Sequence, residues 1–278
     1  MKILFQMIFF TSYLFSQTVF EPTFIYGVTI ENVNKNLPET VEALSKLSKK
    51  PTTRIVFDHE HSPSHYINAV KEIKKVSYIM GEVLDSYDMS KLSDDELKNR
   101  MYVYYKSFSS YIDIWEIGNE VNGEWNGKVD NVISKIKFAN NYIRYKGGKT
   151  ALTLYYNHEC YEKKNHEMFT WVNKYLPSKI RDNLDYVLVS YYEDGCNSYQ
   201  PDWQNVFDSL HVLFPKSKLG IGECGTRNKN LKEDYIEKYY SLRVTTPNFI
   251  GGYFWWYFRQ DCVPYTKPLW NVINDAIK

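Results

Sequence analysis

Apolar and polar positions along this chain fall into two alternating textures. Short runs rich in Ile, Val, Leu, Tyr and Phe occupy 23–29, 53–58, 76–83, 112–118, 151–156, 186–191, 219–223 and 249–256. Several are continuously apolar, as in Tyr186-Val187-Leu188-Val189, the pattern of a parallel strand covered on both faces. Between them, at 38–47, 64–75, 94–109, 129–145, 167–176, 203–214 and 231–242, lie longer stretches with the apolar spacing of amphipathic helices. This alternation predicts an α/β fold with a parallel sheet. Eight runs within 278 residues predict closure into a single-domain (β/α)8 TIM barrel rather than a doubly wound open sheet. No internal repeat, low-complexity tract or Pro/Gly/Ser linker divides the chain.

The first residues differ. Lys2 is followed by an apolar stretch, 3–15, interrupted only by Gln6, Thr11, Ser12 and Tyr13, and then by Ser16 and Gln17. That is the layout of a secretory signal peptide over 1–17, too short to span a bilayer comfortably. It leaves 18–278 as the barrel domain and predicts a secreted or periplasmic protein, free of the membrane after cleavage.

Charge is balanced, with 34 Lys+Arg against 33 Asp+Glu, so no field draws the chain to nucleic acid or an anionic membrane. The expected partner is neutral or small. Aromatic residues make up 17%, including 25 Tyr, and aromatic faces stack on sugar rings. Export permits disulfides. Cys160, Cys196, Cys224 and Cys262 allow three connectivities.

In a barrel of this kind the working face is the carboxyl end of the strands. The fourth run leads into Ile117-Gly118-Asn119-Glu120 and the seventh is Leu219-Gly220-Ile221-Gly222-Glu223. Both lead to a glutamate at that face. Two carboxyls across a barrel mouth suit retaining glycoside hydrolysis, which needs them about 5–5.5 Å apart.

With Asn119-Glu120 after the fourth run, Glu223 at the seventh and Trp255-Trp256 closing the eighth, the sequence resembles clan A of the glycoside hydrolases, which includes cellulases, β-mannanases and xylanases. The resemblance implies a retaining β-glycosidase acting on a neutral glycan of the β-glucan, mannan or xylan class, without a cofactor and as a monomer. It implies Glu120 as general acid/base and Glu223 as nucleophile. Asn119 would bond the 2-hydroxyl of the sugar being cleaved. Trp256 or Trp255 would form a platform under that sugar, and only one of them can face the mouth. Arg54 would hold the nucleophile ionised, and Tyr192 would be its second hydrogen-bonding partner. Two places depart from the clan pattern: Val121 stands where Pro often follows Asn-Glu, and Ser190-Tyr191-Tyr192 stands where His-x-Tyr is common.

Two alternatives are a carbohydrate-binding barrel without turnover and a metal-dependent hydrolase built on the Asp58-His59-Glu60-His61 segment with His65. The latter needs ligands from other strand ends, where His158 and His166 are the available histidines and His211 sits mid-helix. Residues 220–225 match G-x-G-x-x-G formally, but Glu223 would place negative charge at a pyrophosphate. The cysteines follow the fifth to eighth runs in turn. Pairing neighbours predicts Cys160–Cys196 and Cys224–Cys262, stapling the loops around the nucleophile.

Overall fold

All eight apolar runs are strands in the computed structural model, which describes residues 23–278. They are β1 (Ile25–Ile30), β2 (Thr52–Val56), β3 (Tyr78–Glu82), β4 (Ile114–Glu116), β5 (Thr150–Tyr155), β6 (Tyr186–Tyr191), β7 (Lys218–Cys224) and β8 (Phe249–Trp255). Each pairs in parallel with its sequence neighbour, and β1 pairs with β8, closing the barrel. The segment expected to hold a signal peptide lies outside the described residues. No helix among the described residues is long and apolar enough to cross a membrane.

The connecting helices are α1 (Leu37–Ser45), α2 (Pro63–Val76), α3 (Asp94–Phe108), α4 (Val129–Tyr145), α5 (Met168–Tyr175), α6 (Ser178–Arg181), α7 (Trp203–Leu213), α8 (Lys232–Tyr240), α9 (Phe258–Cys262) and α10 (Pro268–Ala276). Local chemistry sets several starts. Ser93 and Glu96 form a reciprocal capping box on α3, the Glu167 and Asp202 side chains cap α5 and α7, and proline opens α2 and α10. Three helices are additions to the sequence reading: α6, and the pair α9 and α10 beyond the eighth run. Val76, read as the start of the third strand, instead ends α2.

The barrel has two apolar compartments. The larger lies between sheet and helices and includes Val28, Ile55, Trp115, Leu152, Val187 and Ile221. The smaller fills the barrel near the amino ends of the strands with Ile25, Met80, Ile114, Ala151, Tyr186, Leu188, Ile250 and Phe254. Side chains two residues apart on a strand share a face. The next layer along the interior therefore comes from Arg54, Glu82, Glu116 and Thr153, which are two residues beyond Thr52, Met80, Ile114 and Ala151. All four are buried, so charge and hydroxyl replace hydrocarbon halfway up the barrel.

Candidate active site

Burying one guanidinium with two carboxyls is costly unless the groups satisfy one another. Arg54 reaches Glu116 with both prongs of its fork, Nε to Oε2 at 2.7 Å and Nη2 to Oε1 at 3.1 Å. Thr153 donates to the same Glu116 oxygen. The Glu82 carboxylate lies 3.2 Å from Arg54 Nη2, yet neither of its oxygens has a hydrogen-bond partner among the described residues. Burial pushes the Glu82 pKa well up against the pull of Arg54. The remaining prong, Nη1, donates upward to Glu223 Oε2.

Glu223 owes its position to an irregularity in β7. Val189 faces Ile221 across the β6–β7 ladder, whereas the next residue, Ser190, faces Glu223. Gly222 is the extra residue of a bulge, a device that re-aims the side chains beyond it. A Cβ there would come within 2.7 Å of Leu188 Cβ. Strand β8 bends more sharply: Gly251, Gly252, Tyr253 and Phe254 all have positive φ. At Gly252 a Cβ would sit 2.2 Å from the Ile221 carbonyl oxygen, so only glycine fits.

Glu120 lies beyond the end of β4 with φ 45°, left-handed backbone that is strained for a non-glycine residue. Its surroundings fix that geometry. The Glu120 carbonyl accepts from Gly123 N at 2.7 Å and Asn126 Nδ2 at 2.8 Å, and Val121 N donates to Thr153 O at 3.2 Å.

The two carboxyls have different partners. Glu223 accepts from Arg54 and, at 2.6 Å, from the Tyr192 hydroxyl. Burial pushes its pKa up, while Arg54 and the Tyr192 bond hold it down; the net direction is upward. Arg54 therefore acts on Glu223 in the expected sense without outweighing burial. Among the described residues Glu120 has only hydroxyl partners, Ser190 Oγ at 2.6 Å and Ser86 Oγ at 3.2 Å. Burial first, and then the Glu223 charge, push Glu120 up to about 8.

Both glutamates line a cavity of about 600 Å³ at the carboxyl end of the barrel, with Asn119, Tyr192 and Trp256. Asn119 is buried and its Oδ1 has no partner among the described residues. Trp256 packs with its ring centroid 5.5 Å from Arg54 Cζ. Trp255 is a correction: it is fully buried among the helices, and its Nε1 donates to Asp261 at 3.0 Å. The alternation of the strand end decides between the two tryptophans. Sequence reasoning missed Ser86, Ser190, Asp85, Trp125, Tyr155, Asp194, Arg227 and Tyr257. Ser190 lies in β6 two positions before Tyr192, and Tyr155 ends β5, so both were traceable from strand register; the others stand beyond the strands without such a pattern.

Cys160 and Cys196 form a disulfide, with Cα atoms 5.3 Å apart, joining the loops after β5 and β6. The second expected pair is a correction, for Cys224 and Cys262 are free and buried. Cys224 follows Glu223 in β7 and points to the opposite face, where its Sγ donates to Tyr253 O at 2.6 Å.

The histidine segment also departs from a metal reading. His59 Nδ1 pairs with Asp88 at 2.9 Å, while the His61 and His65 rings stack at 3.9 Å. Arg100 gathers the segment's backbone carbonyls, with Nη2 donating to Phe57 O at 2.7 Å and Asp58 O at 2.8 Å. No group of three or more potential ligands that could hold a metal ion occurs among the described residues.

No protein-family profile and no curated protein sequence matches the chain. Solved structures do. The chain is similar to Saccharomyces cerevisiae Gas2p in complex with laminaritriose and laminaritetraose, with TM-score 0.61 and 13% identity over 91% of this chain and 64% of that one. It is similar also to Gas2p in complex with laminaripentaose, with TM-score 0.58 and 13% identity over the same shares. This chain thus spans less than two thirds of the Gas2p chain, and at this identity the likeness establishes the barrel fold.

Proposed function

We propose that this protein is an exported retaining β-glycosidase acting on a neutral β-glucan, with Glu223 as nucleophile and Glu120 as acid/base. The observation that carries this reading is the contrast between two buried carboxyls in one cavity. Glu223 rests on a guanidinium and a phenol. Glu120 has hydroxyl partners alone among the described residues and holds its proton to about pH 8. Such a pair separates the roles of nucleophile and acid. The laminari-oligosaccharides bound by Gas2p, similar in fold, favour β-1,3-glucan as the first substrate to try. The Cys160–Cys196 disulfide fits an exported protein.

In the first step a Glu223 oxygen bonds to the anomeric carbon, the glycosidic C–O bond breaks, and the Glu120 proton passes to the departing oxygen. Esterification removes the Glu223 charge and with it one cause of the raised Glu120 pKa. Glu120, now a carboxylate, takes a proton from water or from a sugar hydroxyl. That oxygen then attacks the anomeric carbon and releases Glu223. Asn119 and Trp256 line the cavity, which supports a role for the Asn119 amide in bonding a sugar hydroxyl and for the Trp256 ring as an apolar platform.

Incubation of the purified protein with laminarin, mannan and xylan, followed by product analysis, tests the reading. Laminarin is expected to be shortened or its products re-lengthened, with the β configuration retained. Unchanged glycans, or turnover by the Glu120→Ala and Glu223→Ala variants equal to that of the parent, would overturn it.

A further inference from the structure

The near-balance of charge over the whole chain, 34 Lys+Arg against 33 Asp+Glu, conceals a segregation between the two ends of the barrel. The connections from helix to strand lie at the amino end. Residues 46–51, 77, 109–113, 146–149, 176–185, 214–217 and 241–248 together hold nine Lys or Arg against three Asp and no Glu. The connections from strand to helix lie at the carboxyl end. Residues 31–36, 57–62, 83–93, 117–128, 156–167, 192–202, 225–231 and 256–257 hold thirteen Asp or Glu against seven Lys or Arg. One end is thus basic, and the end that bears Glu120 and Glu223 is acidic. A balanced total excludes a net field but not a local one.

The basic end is open and sparsely neutralised. Lys49, Lys179 and Lys216 are exposed and have no ion-pair partner among the described residues. Two of the three acids are already engaged. Asp185 Oδ2 accepts from Arg144 Nη1 and from Thr150 N, both at 2.9 Å, and Asp113 is paired with Lys74 at 2.6 Å. A recess of about 270 Å³ opens at this end, lined by Arg144, Lys216 and Lys218 with Asp182, Asp185 and Tyr186.

Screening confines each charge to about 8 Å at physiological ionic strength. A small anion therefore meets only a few of these groups. A polymer with repeated acidic groups meets them in succession and releases a counterion at each. The exposed large hydrophobic side chains near this end are Tyr145 and Val212, in the last turns of α4 and α7. Two separate side chains give too little apolar surface to enter a bilayer, which favours a polymer over a membrane.

We propose that the amino end of the barrel is a docking surface for an acidic polysaccharide. The acidic carboxyl end is repelled by the same polymer, so the docked protein turns its cavity outward. The choice of a polysaccharide over nucleic acid rests on the reading of this protein as an exported glycosidase; the basic surface itself does not.

The test measures binding of the purified protein to immobilised polygalacturonate and dextran sulfate, with neutral dextran as control, at 50 and 150 mM NaCl. Two triple variants carry the same change in net charge: Lys49→Glu/Lys179→Glu/Lys216→Glu at the amino end and Lys128→Glu/Lys164→Glu/Lys229→Glu at the carboxyl end. Matching thermal melts establish that both fold. The parent is expected to bind at least one acidic polymer and not dextran. Its affinity should fall roughly tenfold between the two salt concentrations, as for about three released counterions. The amino-end variant should lose about tenfold in affinity at 50 mM NaCl and the carboxyl-end variant far less, while laminarin turnover by the amino-end variant stays at the parent's rate. No binding to either acidic polymer, equal losses in the two variants, or tighter binding to phosphatidylglycerol vesicles than to both polymers would overturn the proposal. Binding lost in the amino-end variant alone, in a protein that cleaves no glycan, would support the docking surface and overturn the catalytic reading instead.

Discussion

Arg54 on β2 and Glu223 on β7 are joined by a hydrogen bond across the barrel interior, with the same guanidinium forked onto Glu116. One cation thus serves both the buried layer and the cavity above it. Arg54→Met would leave Glu116, Glu82 and Glu223 without a counter-charge, an expected loss of about 3–5 kcal/mol in unfolding free energy. Arg54→Lys keeps the charge but not the fork. It should fold, with glycosidase kcat/KM lowered about a hundredfold by misplacement of Glu223. Thermal melts and kinetics on one preparation separate the two effects, and a Lys variant with unaltered kinetics would refute the link.

Loss of the acid should depend on the leaving group. Glu120→Ala is expected to cut turnover of an unactivated glycan by about 10²–10⁴-fold. A dinitrophenyl glycoside, whose oxygen departs without a proton, should lose far less in the first step. Glu223→Ala should impair both substrates alike. Burst kinetics on the two substrates check this, and equal losses in Glu120→Ala would remove its role as acid.

Activity should follow a bell-shaped pH profile. Its alkaline limb falls near pH 8, where Glu120 loses its proton. Its acid limb lies above the ordinary glutamate range, because burial raises Glu223. The Ser190 hydrogen bond favours the Glu120 anion, so Ser190→Ala should move the alkaline limb to higher pH. A limb that stays fixed or moves down in kcat/KM would contradict the assignment.

Glu120 also links pH to stability. Its folded pKa, about 8, is above that of the unfolded chain, so the folded state binds the extra proton. The resulting stabilisation is complete below the unfolded value, declines as pH rises between the two values, and is gone above pH 8. Glu120→Gln, neutral throughout, should therefore exceed the parent in stability by roughly 2–4 kcal/mol at pH 8, and by little at pH 4. Denaturant titrations at both pH values give the comparison; an equal difference at both would show that the charge is not the cause.

The Cys160–Cys196 bridge closes a loop of 36 residues, for which chain entropy gives about 3–4 kcal/mol of stabilisation. Reductant should lower the melting temperature of the parent and leave a Cys160→Ser/Cys196→Ser variant unchanged. A similar shift in both would mean that the reductant acts elsewhere.

The strands were legible because parallel strands covered on both faces write continuous apolar runs, and β6 appears with the bounds read from the sequence. Glu120, Glu223, Arg54 and Tyr192 were legible because each stands at or near a strand whose order fixes its place around the ring. Trp255 and Trp256 could be narrowed to one but not resolved, since the answer depends on the bend of β8 at residues 251–254. The Cys224 pairing failed for a related reason. Order along the chain brings the loops together, but the facing of one strand residue turns Cys224 to the opposite side from Glu223. Ser86 was invisible because it stands on a loop, where a serine that supports a carboxylate looks like any other serine.

The left-handed backbone at Glu120 has a consequence for anyone wishing to convert this barrel into a reagent. Glycine is the one residue that adopts φ 45° there without steric cost. Glu120→Gly discards the strained geometry together with the buried acid. A single substitution would thus remove the buried acid and relieve the backbone strain together, so on the proposed roles Glu120→Gly should hold a glycan without cleaving it.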